Sequence, residues 1–173
     1  MALGYGRTAT NNFAVAKFIV DTNGIQNGAT HSTISSAIAD SVSGDNIHVK
    51  PGTYTENFTI PAGVNVMAYA SDGFNGQVEV VGTVTMNTAG TASIQGIRIT
   101  TNSAFGIVNS GSVASVLNVL NCDLNATNNT FISHTSSSSS STISLNNCSG
   151  DIGTTGIAFY TKTSPGVLNN SGS

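Results

Sequence analysis

Charge is what this sequence has least of. Only 8% of its 173 residues are Asp, Glu, Lys or Arg, against roughly a quarter in an ordinary soluble domain. Five Lys and Arg residues (Arg7, Lys17, Lys50, Arg98, Lys162) and a net charge of −3 cannot line the basic stripe that phosphate binding needs, which argues against nucleic acid as a partner. No apolar run approaches the roughly 20 residues required to cross a bilayer, so no membrane association is expected. Residues 1–17 hold no positive segment followed by an apolar block, so a Sec leader is not expected either. Cysteine is limited to Cys122 and Cys148, whose spacing matches no metal-ligand pattern. They read as two small buried residues, and a disulfide stays open should they stack. Neither a metal nor another cofactor is expected.

Ser, Thr, Asn and Gly take the place of the missing charge, while the apolar fraction stays at 39%. Disorder combines low hydrophobicity with high net charge, so this mixture argues against it. The same residues are weak helix formers, which leaves a turn-rich β fold. One short segment differs. Ile34, Ala37, Ile38 and Val42 fall at helical spacing behind Ser32 or Thr33 as N-cap, and they predict a single helix over 33–42. Residues 1–17 read as an arm or attachment segment, and 18–173 as one domain.

From Ile47 onward the periodicity is two. Short runs such as Val78-Glu-Val-Val, Ile94-Gln-Gly-Ile-Arg-Ile and Val116-Leu-Asn-Val-Leu-Asn-Cys are separated by Gly, Asn, Ser and Thr. The runs recur. Phe58 and Val64 align with Val78 and Val84 at an offset of 20. Ile94, Ile97 and Ile99 align with Val119, Cys122 and Leu124 at 25, and Val119-Leu-Asn-Cys with Leu145-Asn-Asn-Cys at 26. Phe131-Ile aligns with Ile157-Ala at 26, and Leu145-Asn-Asn with Leu168-Asn-Asn at 23. A period drifting between 20 and 26 residues is the signature of a β-solenoid, here expected to be an all-β, right-handed parallel β-helix. Stacking at about 4.8 Å per coil gives about six or seven coils and a rod of ~30 Å. Equivalent positions then form ladders: Ile97, Cys122 and Cys148 inward, Phe105 near Phe131, and Asn121 over Asn147 as an amide ladder at a turn. The serine run Ser136–Ser141 reads as a protruding loop. The helix is placed to plug the N-terminal end of the coil, whereas the last unit at Val167 has no comparable cover, so another chain or a longer rod is expected there.

Residues Thr33-Ile, Ala37-Ile, Gly44-Asp-Asn-Ile-His-Val-Lys-Pro-Gly-Thr-Tyr-Thr-Glu-Asn-Phe-Thr-Ile and Gly63-Val-Asn-Val resemble the opening of the pectin lyase-like superfamily, particularly pectin methylesterase-like chains. The resemblance covers roughly a fifth of the sequence and implies a capping helix, a first strand and a tight turn. The superfamily includes polysaccharide-degrading enzymes, bacterial adhesins and phage tailspike or fibre proteins. The paired Asp residues, Arg and Gln-rich motif of the esterases do not appear in the central coils.

The central acids are Asp72, Glu79, Asp123 and Asp151, with Arg98 the single base among them. Glycoside hydrolysis needs two carboxylates facing one cleft. Asp123 and Asp151 are the pair that neighbouring coils would bring closest, set against the plainer reading of two turn acids in solvent. One Arg with scattered acids is too little for Ca²⁺-dependent lyase chemistry. His31, His48 and His134 are too dispersed to argue a Ser–His–Asp arrangement, and His48 should point outward between Ile47 and Val49. The expected function is therefore non-enzymatic: a structural virion protein (phage fibre, spike or capsid-decoration β-helix), forming a homo-oligomer, a trimer first, with other virion proteins. A bacterial surface adhesin that binds cell-surface glycan is the alternative, and a carbohydrate esterase, lyase or hydrolase comes third.

Overall fold

The computed structural model describes residues 17–25, 28–69, 78–101, 105–126, 131–150, 160–162 and 167–171. Residues 1–16, most of the expected arm, and Asp72 and Asp151 lie outside the described residues. Lys17 does not: its Nζ lies 3.0 Å from Asp45 Oδ2 and 4.7 Å above the Phe18 ring.

Alternating apolar and polar residues produce short strands that bury every second side chain. The first strand, β1 (Phe18–Val20), precedes the helix α1 (Ile34–Asp40). Four coils of three strands follow. These are β2 (Asn46–Val49), β3 (Gly52–Tyr54) and β4 (Phe58–Thr59); β5 (Asn65–Ala68), β6 (Val78–Val81) and β7 (Val84–Met86); β8 (Gly90–Gln95), β9 (Arg98–Thr101) and β10 (Ile107–Asn109); and β11 (Ser115–Leu120), β12 (Asp123–Ala126) and β13 (Ile132–His134). The strands β14 (Thr142–Asn146), β15 (Tyr160–Lys162) and β16 (Val167–Ser171) extend the stack. They form three parallel sheets: seven strands in the order β1-β2-β5-β8-β11-β14-β16, four from β3 to β12, and five from β4 to β15. The chain is thus an all-β parallel solenoid with one short helix near its N-terminal end. Among the described residues four coils carry a strand in every sheet, fewer than the six or seven expected, although seven strands stack on the first sheet.

Registered side chains make the core. Ile47, Val66, Ile94, Val119 and Leu145 stand in one inward column across five rungs, each at most 3% exposed. Tyr54, Val80, Ile99 and Leu124 form a second column on the four-stranded sheet. The Tyr54 hydroxyl donates to Lys50 O at 2.9 Å, and burial pushes its pKa up to about 12.

Thr33 is the N-cap of α1: its Oγ1 accepts from the Ser36 N–H at 3.1 Å. Ile34 and Ala37 are buried, packing the helix over the first coil. Glu56, between β3 and β4, secures the junction. Its carboxylate accepts the Ile34 and Ser35 N–H groups at 2.8 and 2.9 Å and the Ser35 hydroxyl. It thereby satisfies backbone donors that a helix leaves open. The helix ends at Asp40, before the expected residue 42. Val42 is 62% exposed, because Ser41 leaves helical geometry and closes the end with its hydroxyl on Ile38 O.

Several expected alignments are corrected by the register. Phe58 stacks on Val84, and Gly52 on Val78, so the early offset is 26 rather than 20. The offset of 20 matched strands of different sheets, because Val78 and Phe58 share the same alternation but not the same face. Ile132 pairs with Tyr160 instead of Ala158, and Leu145 with Asn170 instead of Leu168. The offsets of 25 and 26 through Ile94, Val119 and Leu145 hold as expected. Phe131 stacks on Gly106, not Phe105. The Gly106 and Ile107 N–H groups both donate to Phe131 O, and a Cβ on Gly106 would lie 2.4 Å from the Phe131 ring.

The serine run is also different from its expected form. Ser136 and Ser141 are fully buried, and the run is the corner joining β13 to β14 rather than a protruding loop. Ser137 N–H donates to Gly111 O at 2.9 Å, and Ser141 Oγ to Val113 O at 2.9 Å. Ser136 and Ser141 share a 2.6 Å hydrogen bond. Low-complexity serine packs here because the two buried hydroxyls, Ser136 and Ser141, meet each other and the Val113 carbonyl.

Candidate functional site

Asp123, the described member of the expected acid pair, begins β12. Cys122 and Leu124 on either side of it point into the core, so strand alternation directs Asp123 outward. Register does the rest. Thr53, Glu79, Arg98 and Asp123 are successive Cα partners, and Ser149 bridges to Asp123 above them. The outer face of the four-stranded sheet therefore carries a stripe running hydroxyl, acid, base, acid, hydroxyl.

The stripe is hydrogen-bonded along its length. Arg98 Nε donates to Asp123 Oδ2 at 2.9 Å, and Asn125 Nδ2 donates to the same oxygen at 3.0 Å. Ser149 Oγ donates to Asp123 Oδ1 at 3.2 Å. Two rungs below, Glu79 Oε1 accepts from Thr100 Oγ1 at 2.8 Å. Two rungs at about 4.8 Å place the Glu79 and Asp123 backbones roughly 10 Å apart, with the Arg98 rung between them. Glycosidic chemistry requires the space between its two acids to admit a sugar and water; here a guanidinium-bearing strand occupies it. Glu79 was visible in the sequence as a central acid, but its place in the stripe was not. The signal that would have found it is the 26-residue offset joining Thr53 to Glu79.

The other candidates are separate. His48 projects outward as expected and meets Tyr69 edge-on at 6.1 Å between ring centroids; partial burial holds its pKa below the ordinary histidine value. His31 Nε2 lies 3.1 Å from Asp40 Oδ2, tying the loop before α1 to the helix. His134, on β13, is fully buried. Among the described residues, no three His, Cys, Asp or Glu side chains gather closely enough to hold a metal ion. Cys122 is buried and Cys148 half-buried, both as free thiols.

The amide ladder exists. Asn147 Nδ2 donates to Asn121 Oδ1 at 2.8 Å, and both residues adopt φ of 51°. Asn is among the few residues other than Gly that accept this left-handed conformation; the position one coil below is Gly96, at φ 70°. A second ladder stands outside the seven-stranded sheet, where Asn65 Nδ2 donates to Asn46 Oδ1 at 2.9 Å and Ser93 Oγ to Asn65 Oδ1 at 2.6 Å.

What these features define is a class, the parallel β-solenoid with a hydrogen-bonded polar exterior. Compared with known proteins, the chain matches no family model, no curated protein and no solved structure. Among the described residues, no helix is long and apolar enough to cross a membrane.

Proposed function

We propose that this chain is a non-enzymatic structural protein of a virion: a β-helical segment of a phage fibre, spike or capsid decoration, assembling as a homotrimer and contacting other virion proteins. The observation that carries this reading is the outer stripe, whose acids are engaged by its own Arg98, Asn125, Thr100 and Ser149. Such a stripe stiffens a rod, and among the described residues its two acids stand on either side of the Arg98 rung. The resemblance of residues 33–67 to pectin lyase-like proteins, which include tailspikes and fibres, supports the same reading. So does the scarcity of charge, which suits surfaces that pack against other subunits.

Native mass by light scattering at several concentrations tests it. A concentration-independent trimer or larger closed assembly is the expected result. A monomer at every concentration, with no affinity for capsid or tail components, overturns it.

A surface adhesin binding neutral glycan is the second reading. It is favoured by the outward Asn46, Asn65, Ser93, Asn118 and Ser144, which share one register column free of charge. Amides and hydroxyls repeated at rung spacing offer donors and acceptors to sugar hydroxyls. Silence on a glycan array removes this reading. Catalysis on carbohydrate ranks below both, and an activity lost in Asp123→Asn would restore it.

A further inference from the structure

Two sulfurs, the only two in cysteine side chains of the sequence, are brought onto adjacent coils by the fold. Val119 pairs with Leu145 and Leu120 with Asn146. The register continues through the Asn121–Asn147 amide bond to a bridge between Asp123 and Ser149. Cys122 and Cys148 therefore occupy the same position on successive rungs, and Ser149 N–H donates to Cys122 O at 3.0 Å.

Registered parallel positions are about 4.8 Å apart, inside the Cα separation of roughly 4.4–6.8 Å that a disulfide spans. Both side chains also lie against the same stretch of backbone. Cys122 Sγ is 3.3 Å from Leu120 O, and Cys148 Sγ reaches down to 3.3 Å from Val119 O. The sulfurs differ in access, since Cys122 is 1% exposed while Cys148 is only half-buried.

We propose that Cys122 and Cys148 are an oxidisable pair that closes into a staple between adjacent coils when a small-molecule disulfide is present. The order of steps follows from access. The Cys148 thiolate attacks one sulfur of oxidised glutathione, forming a mixed disulfide and expelling one glutathione thiolate. The Cys122 thiolate then attacks Cys148 Sγ, forming the inter-coil bond and expelling the second glutathione. The two cysteine protons end on the two expelled thiolates, so two protein thiols are oxidised and one glutathione disulfide is reduced. Burial pushes the Cys122 thiol up to about 12 and raises that of Cys148 as well, so closure is slow near neutrality and accelerates with pH.

The test is incubation of the folded chain with oxidised glutathione at neutral and mildly alkaline pH, followed by acid quench and peptide mass spectrometry. The expected product is one intramolecular link joining the peptides of residues 122 and 148, formed faster at the higher pH. In Cys122→Ser the reaction stops at a glutathione adduct on Cys148, and in Cys148→Ser the folded protein leaves Cys122 unmodified. Closing this loop raises the unfolding midpoint by roughly 5–10 °C, and dithiothreitol reverses the rise. Arrest of the unaltered chain at the Cys148 adduct, cross-linking between molecules, or two unreacted thiols in the folded protein would each overturn the proposal.

Discussion

The coils below β10 and the corner above it solve the same stacking problem with opposite chemistry. One inward column shows the change directly: Met86, Asn109 and His134 are successive partners, all fully buried. Apart from Asp21, every buried polar side chain among the described residues lies at Thr101 or later. The lower coils hold together by excluding water from Val, Ile and Met, a force without direction. The upper corner depends on directed bonds. Asn109 Oδ1 accepts from Ser115 Oγ at 2.7 Å, and Ser141 links Ser115, Ser136 and Val113 O. Shape tolerates adjustment, whereas a polar network with one member missing leaves its partners buried and unsatisfied.

The largest expected effect lies in the apolar region. Ile94→Ala removes the middle of the longest core column and should cost about 2–5 kcal/mol in denaturant unfolding. In the polar corner, Ser141→Ala should cost about 1–3 kcal/mol, chiefly through orphaned partners. The comparison sharpens with a double-mutant cycle. Asn109→Leu combined with Ser115→Ala should cost less than the two single changes added together, because each removes what the other would leave unpaired. Additive losses would show that the corner behaves like the apolar coils.

Smaller effects belong to the ends and the exterior. Thr33→Ala should cost about 1 kcal/mol by removing the cap of α1. Asp123→Asn should cost less than about 1 kcal/mol, since the stripe is partly exposed and its ion pair is screened by solvent; a large loss would give the stripe a role in holding the coil. The smallest effect is a pH slope from His48. Its folded pKa is depressed by desolvation, so its neutral form belongs to the folded state. That contribution is present above the ordinary histidine pKa and is lost as pH falls below it. His48→Gln should flatten the corresponding part of a stability–pH profile recorded between neutral and mildly acid pH.

The upper repeats were easiest to read in the sequence, for a physical reason. Where the turn between strands keeps its length, Ile94, Val119 and Leu145 recur at nearly equal intervals and alignment alone finds them. Between Phe58 and Val84 the turns change length, and alternation by itself cannot tell which sheet a strand joins. The offset of 20 satisfied the pattern of side-chain types while misassigning the sheet. Glu79 was missed as a member of the stripe for the same reason.

Composition and alternation determined on their own that the chain is a solenoid of short parallel strands, with a helix near residues 33–42, apolar inward columns and an Asn ladder at Asn121 and Asn147. Each is a local or strictly repeating property: capping, period two, and tolerance of left-handed backbone. Only the tertiary structure decided which rungs face each other. It set Thr53 and Glu79 in line with Arg98 and Asp123, put the Phe131 ring on Gly106, and anchored the serine run as a corner on the buried Ser136 and Ser141. Those contacts depend on turn lengths summed around a whole coil, which the alternation of side chains within a strand does not report.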